Sequence, residues 1–406
     1  MTVPAAVPSS PLSAAPDREA AADAIAARFT EVFGYESDGV WSAPGRVNII
    51  GEHVDYQDGL CLPMAISHRC FIAAARTPTN LLRLRSVQSD VAIDVDVSDL
   101  EPGDVDGWGA YVAGVLWALE RFRGAGQGGA DILVDGHVPL GAGLSSSAAL
   151  ECAAAEAFES LLSLGTAPLD RVRAAIRAET EFAGASTGGL DQSASVLCTA
   201  GHALELDCRD FSTAPVPWDL ASAGLALLIC DTKAEHSHVD GEYAARRRDS
   251  EAAAAAVGVP TLRDVEPADL DAVLARIEDG TVRRRARHIV TEIQRVRETV
   301  ELLRTTDLRA GVERLGALLN ASHDSLRDDY EVTVPALDVA VDAARAAGAH
   351  GARMTGGGFG GSVIALVEAD AAESVAAAIT AAFAREGLGT PAFFLALPED
   401  GAGQDR

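Results

Sequence analysis

Residues 45–58, which we call the acidic motif, bring three ionisable side chains together in a short stretch. Glu52, His53 and Asp55 follow residues 47–50, whose apolar side chains predict a buried strand. Ionisable groups beside a buried strand cost free energy unless they are hydrogen-bonded. Carboxylates accept from hydroxyls and an imidazole can accept or donate, so this cluster suits a polyol ligand. The alternative is a solvated turn.

Residues 139–147, which we call the serine loop, have the composition of a phosphate-binding turn. Gly141 and Gly143 let the backbone adopt positive φ or approach a ligand closely. Apolar side chains recur at helical spacing from Leu150 to Leu161, which predicts a helix that serines of the loop can cap. The start of a helix presents unpaired N–H groups and the positive end of its dipole, which favour phosphate. The alternative is an ordinary capped helix.

A Walker-type phosphate site is excluded. The phosphate loop of the common nucleotide hydrolases needs a lysine directly after a glycine, within G-x-x-x-x-G-K-[ST]. The chain contains a single lysine, Lys233, and Thr232 precedes it. Any phosphate charge must therefore be met by backbone N–H groups, hydroxyls, arginine and a metal ion.

A further glycine turn carries a lone carboxylate. Asp191 lies in the loop over residues 184–192, after a predicted helix over residues 169–182 that carries Glu179. A carboxylate held rigidly beside a ligand suits a general base or a group that orients a hydroxyl. The alternative is that Asp191 caps the segment that follows.

Residues 356–361, which we call the glycine loop, contain five glycines in six residues. Ordering so many glycines costs much backbone entropy, and a plain hairpin needs only one or two. This composition predicts that the loop approaches a ligand or another loop closely.

Composition limits the classes of partner. The formal net charge of −27 argues against nucleic acid and anionic membranes, since both need a cationic footprint. No apolar run approaches the length that spans a bilayer, and residues 1–17 lack the features of a signal peptide. The six cysteines have no metal-binding spacing, which predicts reduced, mostly buried thiols and a cytoplasmic protein.

Periodicity predicts the elements that position these loops. A length of 406 residues favours two or three domains. We expect domains over 18–214 and 215–397, between disordered tails over 1–17 and 398–406. The predicted elements are a helix over 18–34, antiparallel strands over 60–97, a helix over 108–119, strands over 131–135, 201–207, 224–231 and 363–367, and helices from 235 to 348.

Three further local patterns do not favour a ligand site. His236 and His238 do not share a helical face, which disfavours a metal site there. The cationic run over residues 283–288 is expected to be a solvated helix face. A proline-rich turn is predicted around Pro215 and Pro217.

The three loops together resemble the GHMP small-molecule kinases. The acidic motif runs from Gly-Arg-Val-Asn at 45–48 to Glu-His-Val-Asp-Tyr at 52–56, and the serine and glycine loops follow in the family's order. The acidic motif and the Gly-Gly-Leu-Asp-Gln turn at 188–192 look most like the galactokinase branch. Val54, where threonine is usual, and Gly189-Leu190 depart from the pattern at positions that do not ionise.

The resemblance implies a two-domain α+β fold. The N-terminal domain would resemble domain 2 of ribosomal protein S5, the C-terminal domain would be ferredoxin-like, and the active site would lie between them. It also implies ATP-dependent phosphorylation of the C1 hydroxyl of α-D-galactose, with Mg²⁺ as cofactor. The implied partners are galactose and ATP, and we expect a monomer, with a weak dimer as the alternative.

The resemblance also implies residue roles. Galactose would be bound by Glu52, His53, Asp55, Gly188, Asp191 and Tyr243. Catalysis would rest on Asp191, as a base or an orienting group, and on Arg46. The ATP phosphates would be wrapped by Gly141, Ala142, Gly143, Leu144, Ser145, Ser146 and Ser147. Adenine would lie near Trp108 and Tyr111. Mg²⁺ would be ligated by Ser147 and Glu179, with Ser146 as an alternative to Ser147.

Two alternative functions remain open on the sequence. The first is a kinase for a related sugar such as N-acetylgalactosamine, arabinose or galacturonate. The second is a catalytically silent galactose sensor on the same fold. A sensor is expected to lose part of the serine loop or the acidic residues, whereas Ser145, Ser146, Ser147, Glu179 and Asp191 are all present.

Overall fold

A computed structural model describes residues 12–123, 128–185, 187–234 and 239–406. Its largest sheet has six strands, which are, in spatial order, Gly403–Gln404, Gly39–Asn48, Pro63–Arg76, Ala130–Gly136, Leu81–Ser86 and Ser89–Asp96. Neighbouring strands are antiparallel except for the parallel pair formed by Leu81–Ser86 and Ala130–Gly136. The strand Gly39–Asn48 contains the first four residues of the acidic motif, and the rest of the motif follows directly after the strand ends.

A small three-stranded sheet occupies the region where a proline-rich turn was predicted, so that prediction is wrong. Its strands are, in spatial order, Leu60–Cys61, His202–Asp207 and Ser212–Pro217. Pro215 and Pro217 lie in the last of these, an edge strand, where a residue without an N–H is tolerated. The predicted domain boundary between residues 214 and 215 therefore falls inside a strand.

The second large sheet belongs to the C-terminal half. Its five strands are, in spatial order, Leu12–Ser13, Ala392–Ala396, Leu225–Asp231, Ser362–Glu368 and Gly351–Thr355. The chain thus enters this sheet at Leu225. The hairpin between the last two strands contains the glycine loop, which places that loop at the end of the sheet.

The chain ends do not behave as the predicted tails. Leu12–Ser13 pairs in parallel with Phe393 and Phe394 of the second sheet, while residues 1–11 lie outside the described residues. Gly403–Gln404 pairs with the first sheet, and the Val40 N–H donates to the Arg406 carbonyl at 3.1 Å. Leu12–Ser13 and Gly403–Gln404 each add a strand to an open sheet edge, and this pairing orders them.

Helices cover both sheets. The α-helices are Arg18–Phe33, Trp108–Arg123, Ser146–Leu162, Pro168–Arg177, Leu190–Leu197, Val239–Val257, Leu270–Leu274, Gly280–Thr305, Leu308–Ser325, Pro335–Ala346 and Ala372–Glu386. π-Helical turns extend two of them, at Ala178–Phe182 and Leu326–Tyr330. Short 3₁₀ turns lie at Asp55–Gln57, Leu262–Asp264, Pro267–Asp269 and Ala369–Ala371.

The helix Ser146–Leu162 positions the serine loop. It packs against the strands Gly39–Asn48 and Pro63–Arg76, and its first turn emerges from the serine loop. Small side chains let the helix lie close to the sheet, and those that are buried are Ala148, Ala149, Ala153, Ala154, Ala155 and Ala157. The acidic motif and the serine loop are thereby brought to the same end of the first sheet.

The cationic run over residues 283–288 is not the solvated face that was expected. Arg285 and His288 are buried, at 2% and 0% exposure. Arg285 is compensated by Glu331, whose carboxylate lies 2.7 Å from its Nη2, and by the Asp329 carbonyl at 2.6 Å. Partners from a distant part of the chain therefore allow these groups to be buried.

Two further predictions bear on the environment of the protein. All six cysteines are buried free thiols, as predicted. Across the described ranges, no helix is both long enough and apolar enough to cross a membrane. His236 and His238 lie outside the described residues.

Candidate active site

The acidic motif, the Asp191 turn and the glycine loop meet around one cavity of about 110 Å³. Its walls are formed by Arg46, Glu52, His53, Asp55, Glu179, Thr187, Leu190, Asp191, Tyr243, Gly356 and Gly357. Most of the predicted sugar-binding and catalytic residues are therefore brought together. Gly188 lies behind this wall, against Asp55.

Glu52 is held from the C-terminal half of the chain. Its Oε1 accepts from the Gly356 N–H at 2.7 Å and from the Thr355 hydroxyl at 3.2 Å. Oε2 has no hydrogen-bond partner among the described residues. The carboxylate is thus fixed through one oxygen and can offer the other to a ligand hydroxyl.

Asp55 lines the cavity and has no ion-pair partner in the described part of the chain. Burial raises its pKa to about 7, and the charges of Asp191 and Glu52 add to this effect. Hydrogen bonds from the backbone N–H groups of residues 55 and 56 partly oppose the shift. A polyol that donates hydroxyl hydrogens to this carboxylate would replace the lost solvation.

His53 already uses both of its ring nitrogens inside the protein. Nε2 lies 3.1 Å from the Gly357 carbonyl, and Nδ1 lies 2.9 Å from the Tyr56 hydroxyl. Only an N–H can pair with a carbonyl, so Nε2 carries the proton and Nδ1 accepts from Tyr56. Burial lowers the pKa of His53 to about 3, which keeps the ring neutral. His53 therefore shapes the cavity wall, and a hydroxyl could reach a ring nitrogen only by displacing a partner.

Asp191 and Arg46 form the charged pair of the site. Arg46 Nε and Nη2 lie 2.8 and 2.7 Å from Asp191 Oδ1. The Ser145 hydroxyl donates to Asp191 Oδ2 at 2.6 Å, and Arg46 Nη1 donates to the Gly143 carbonyl at 2.6 Å. Asp191 lies in the first turn of the helix Leu190–Leu197, yet its carboxylate binds these groups rather than acting as a cap. This pair thus connects the acidic motif to the serine loop.

The serine loop leaves the start of its helix without a side-chain cap. Ser145, at the capping position, has φ of 64° and makes no side-chain bond to the helix. Its hydroxyl is used on Asp191 instead, which corrects the expectation that the serines cap the helix. Within the described residues, no side chain caps the N–H groups of the first turn, as an anion-binding helix end requires.

Ser147, the last residue of the serine loop, contacts Glu179. The Ser147 hydroxyl donates to Glu179 Oε1 at 3.1 Å, and Gln192 Nε2 donates to Glu179 Oε2 at 2.5 Å. Glu179 lies in the π-helical turn Ala178–Phe182, a feature common at functional sites. Burial raises its pKa to about 7, and the charge of Asp191 contributes. A cation beside this carboxylate would favour its ionised form.

An apolar cavity of about 210 Å³ opens beside the serine loop. It is lined by Cys70, Ser86, Gln88, Ser89, Trp108, Val134, Gly136, Val138, Leu140, Ser146 and Leu150. The Trp108 Nε1–H is buried and unpaired within the described part of the chain. Tyr111 is not part of the lining, so only one of the two predicted aromatic side chains reaches this cavity.

Close packing explains the glycines. A side chain on Gly356 would meet the Gly143 carbonyl at 2.7 Å, and one on Gly188 would overlap the Asp55 carboxylate. The glycine loop thus approaches another loop closely, as predicted, and Gly357 also lines the cavity of the acidic motif.

Four lining residues were missed on the sequence, namely Thr187, Leu190, Gly356 and Gly357. Thr187 and Leu190 flank the predicted Gly188 and Asp191, so their neighbourhood was the available signal. For the two glycines, the signal was the predicted close approach of the glycine loop.

Comparisons with known proteins agree with this geometry. Residues 27–76 match the galactokinase galactose-binding signature, residues 110–199 the N-terminal domain of GHMP kinases, and residues 300–385 their C-terminal domain. A galactokinase of Streptomyces coelicolor is 50% identical over 386 residues, which cover 95% of this chain and 98% of the relative. One of Mycobacterium tuberculosis is 42% identical over 369 residues, covering 90% and 99%.

Solved structures share the fold. The galactokinase of Lactococcus lactis, crystallised with galactose, superposes with a TM-score of 0.89 at 30% identity, covering 94% of this chain and 99% of that one. The mevalonate kinase of Methanococcus jannaschii, at 16% identity, has a TM-score of 0.64 over 89% and 98% of the two chains. The predicted two-domain α+β fold is thus confirmed, and the chain belongs to the galactokinases, sugar kinases of the GHMP family.

Proposed function

We propose that the cavity of the acidic motif binds α-D-galactose and that the enzyme transfers the terminal phosphate of ATP to the C1 hydroxyl. One observation carries this proposal. Glu52, Asp55 and Asp191 converge on a cavity that adjoins a helix start without a side-chain cap. A neutral polyol suits the carboxylates, and a phosphate suits the helix start.

The sugar would be held mainly by carboxylates. Glu52 Oε2 and the Asp55 carboxylate can each accept from sugar hydroxyls, while Tyr243 completes the pocket and Gly188 packs behind Asp55. His53 supports this set through its bonds to Tyr56 and Gly357. Because Glu52 is already fixed through Oε1, its side chain loses little conformational entropy when the sugar binds.

Asp191 and Arg46 would act on the reacting groups. Phosphoryl transfer needs positioning and charge stabilisation more than covalent chemistry from the protein. Asp191 can accept or orient the hydroxyl proton, and Arg46 can stabilise charge on the transferring group. Because Arg46 and Ser145 hold both carboxylate oxygens, Asp191 is fixed in orientation before the substrates arrive.

ATP would extend from the serine loop into the apolar cavity. The backbone from Gly141 to Ser147 would wrap the phosphates, and Trp108 would lie against adenine. A predominantly apolar lining with few polar groups is what a planar base requires.

Ser147 and Glu179 fit a magnesium site. They supply one hydroxyl and one carboxylate oxygen, which are hard ligands of the kind that Mg²⁺ prefers, and Mg²⁺ in such sites keeps waters and binds substrate phosphates. When bound, the ion would neutralise charge on the phosphates of ATP. Ser147 rather than Ser146 is the better candidate, because its hydroxyl already faces Glu179 at 3.1 Å.

The test is ADP release by the purified chain with ATP, Mg²⁺ and a panel of sugars. We expect turnover with galactose, loss of turnover with EDTA, and recovery with added Mg²⁺. Faster turnover of N-acetylgalactosamine, arabinose or galacturonate would contradict the substrate assignment. Galactose binding without ADP release would instead favour a silent sensor.

A further inference from the structure

Arg353 holds the backbone that leads into the acidic motif. It lies on the strand Gly351–Thr355 and is fully buried, at 0% exposure. Its Nη1 donates to the carbonyls of Asn48 at 2.9 Å and Ile49 at 3.1 Å, and the same atom lies 3.7 Å from Glu52 Oε1. One guanidinium thus contacts two consecutive carbonyls and the carboxylate that follows them.

Glu292 holds the next part of the same backbone. It lies on the helix Gly280–Thr305, is fully buried, and accepts from the Gly51 N–H at 2.9 Å through Oε1. The Ser322 hydroxyl donates to the same oxygen at 2.7 Å, and Arg295 donates to Oε2 at 2.7 Å. These donors keep the carboxylate ionised and fix its position.

His288 holds the carbonyl of Glu52 itself. It lies four residues before Glu292, on the same face of the helix, and is also fully buried. Its Nε2 lies 3.1 Å from the Glu52 carbonyl, and its Nδ1 lies 2.9 Å from the Ser325 hydroxyl. The contact with a carbonyl requires the proton on Nε2, so Ser325 donates to Nδ1.

Stability alone does not explain this arrangement. Arg353 Nε and Nη2 are buried and have no partner within the described ranges. Unpaired buried donors cost free energy, so a residue selected for stability at this position would be apolar. The guanidinium instead fixes the position of the backbone carbonyls that lead to Glu52.

We propose that His288, Glu292 and Arg353 are positioning residues for sugar binding. They touch no substrate; they hold the backbone of residues 48–52 and thereby set the direction of the Glu52 side chain. The acidic motif comes from the N-terminal half and these three residues from the C-terminal half, so the sugar site is complete only when the halves are docked. This inference rests on the proposed role of Glu52.

Variants of His288 test the proposal. His288→Phe keeps a ring of similar size against Tyr330, whose centroid lies 4.5 Å away, but leaves the Glu52 carbonyl without a donor. We expect the KM for galactose to rise about tenfold or more, the KM for ATP to change less than about twofold, and kcat to be largely kept. His288→Gln restores an N–H donor and should recover most of the galactose KM.

Arg353 provides a second pair of variants. Arg353→Met keeps the apolar stem without donors, and Arg353→Lys keeps the charge but not two N–H groups in a fixed fork. We expect the galactose KM to rise in both, and more in Arg353→Met. If Arg353→Met does not fold, Arg353→Lys compared with the wild type gives the required measurement.

Thr299→Val is the matched control. Thr299 is equally buried in the same helix, and among the described residues its hydroxyl bonds only to the Arg295 carbonyl of that helix, at 2.8 Å. We expect lower thermal stability with both KM values unchanged. The proposal is overturned if the His288 and Arg353 variants behave like this control, or if both KM values rise together. A wild-type enzyme that does not phosphorylate galactose would contradict the proposed function instead.

Discussion

The acidic motif and the serine loop hold their ligand groups in opposite ways. In the acidic motif, Glu52 and His53 are 5% and 4% exposed, and protein groups occupy the backbone around them. In the serine loop, Leu140 is 78% exposed and the helix start has no side-chain cap. The acidic motif is therefore preorganised by protein contacts, whereas the helix start at the serine loop has N–H groups that a ligand can pair with.

This difference follows from the two ligands. A sugar is neutral and small, so recognition depends on a few hydrogen bonds whose directions must be set in advance. A triphosphate brings several charges, and a row of N–H groups tolerates small changes in its position. We therefore expect substitutions behind the acidic motif to be felt more strongly than substitutions around the nucleotide.

The junction of the two regions should be the most sensitive point. Asp191 is bound by Arg46 beside the acidic motif and by Ser145 of the serine loop. Asp191→Asn keeps the shape but removes the charge, and we expect kcat to fall about 10²–10⁴-fold. Galactose binding, measured by calorimetry, should persist. Near-normal turnover in this variant would mean that Asp191 neither accepts nor orients the proton.

Gly188→Ala tests whether the acidic motif is as tightly built as its contacts indicate. The added methyl group would overlap the Asp55 carboxylate and displace it. Lost hydrogen bonds to a charged group cost about 1.5–3 kcal/mol, so the KM for galactose should rise about tenfold to a hundredfold. Steady-state kinetics with both substrates would show whether the KM for ATP stays constant, as we expect.

Gly389→Ala is the control for that variant. Gly389 lies outside both regions, and a side chain there would meet nothing within 4 Å. Its kinetics should match those of the wild type. A Gly188→Ala enzyme with an unchanged galactose KM would show that Asp55 can move freely. The acidic motif would then not be more tightly held than the serine loop.

The sequence predicted the loops of this site better than it predicted their supports. Glycines and acidic residues clustered in a short stretch indicate ligand contact locally, which is why Asp191, Glu52 and the serine loop could be proposed. His288 lies in a cationic run that predicted a solvated face, and Arg353 had no local signal at all. Their burial depends on partners about 240 and 305 positions away, which no local pattern encodes.

Because local patterns do not encode distant partners, the predictions for the chain ends and for the cap at the serine loop were also wrong. Leu12–Ser13 and Gly403–Gln404 are two-residue segments that become strands only because a sheet edge is available. Ser145 has the residue type of a helix cap, but Asp191 competes for its hydroxyl from another helix. In each case a long-range partner overrides a local preference.

The pKa of Asp55 predicts a pH dependence confined to the sugar side. Because this pKa is raised to about 7, the free enzyme holds a protonated Asp55 below that pH and an ionised one above it. The ionised form accepts more hydroxyls, so kcat/KM for galactose should rise with pH up to about 7 and then level off. Measurements need saturating Mg²⁺, because the pKa of Glu179 is also about 7.

Asp55→Asn separates this titration from others. The amide does not ionise, so the inflection near pH 7 should disappear and the plateau of kcat/KM for galactose should fall. With galactose saturating, Asp55 no longer titrates, so any inflection near pH 7 in kcat/KM for ATP of the wild type should come from Glu179. An inflection that survives in Asp55→Asn would assign the titration to another group.

The smallest effect is expected at Trp108, on the nucleotide side. Trp108→Phe keeps an aromatic plane in the apolar cavity but removes the Nε1–H, which has no protein partner among the described residues. That N–H is buried, so the change acts mainly on stacking: a full base–aromatic stack contributes about 1–3 kcal/mol and Phe keeps much of it, so the KM for ATP should rise only about twofold to tenfold, with the galactose KM constant. Tyr111→Phe, on the same helix but outside the cavity lining, should leave both constants unchanged. If Trp108→Phe raised the ATP KM as far as Gly188→Ala raises the galactose KM, the nucleotide side would be as finely preset as the sugar side.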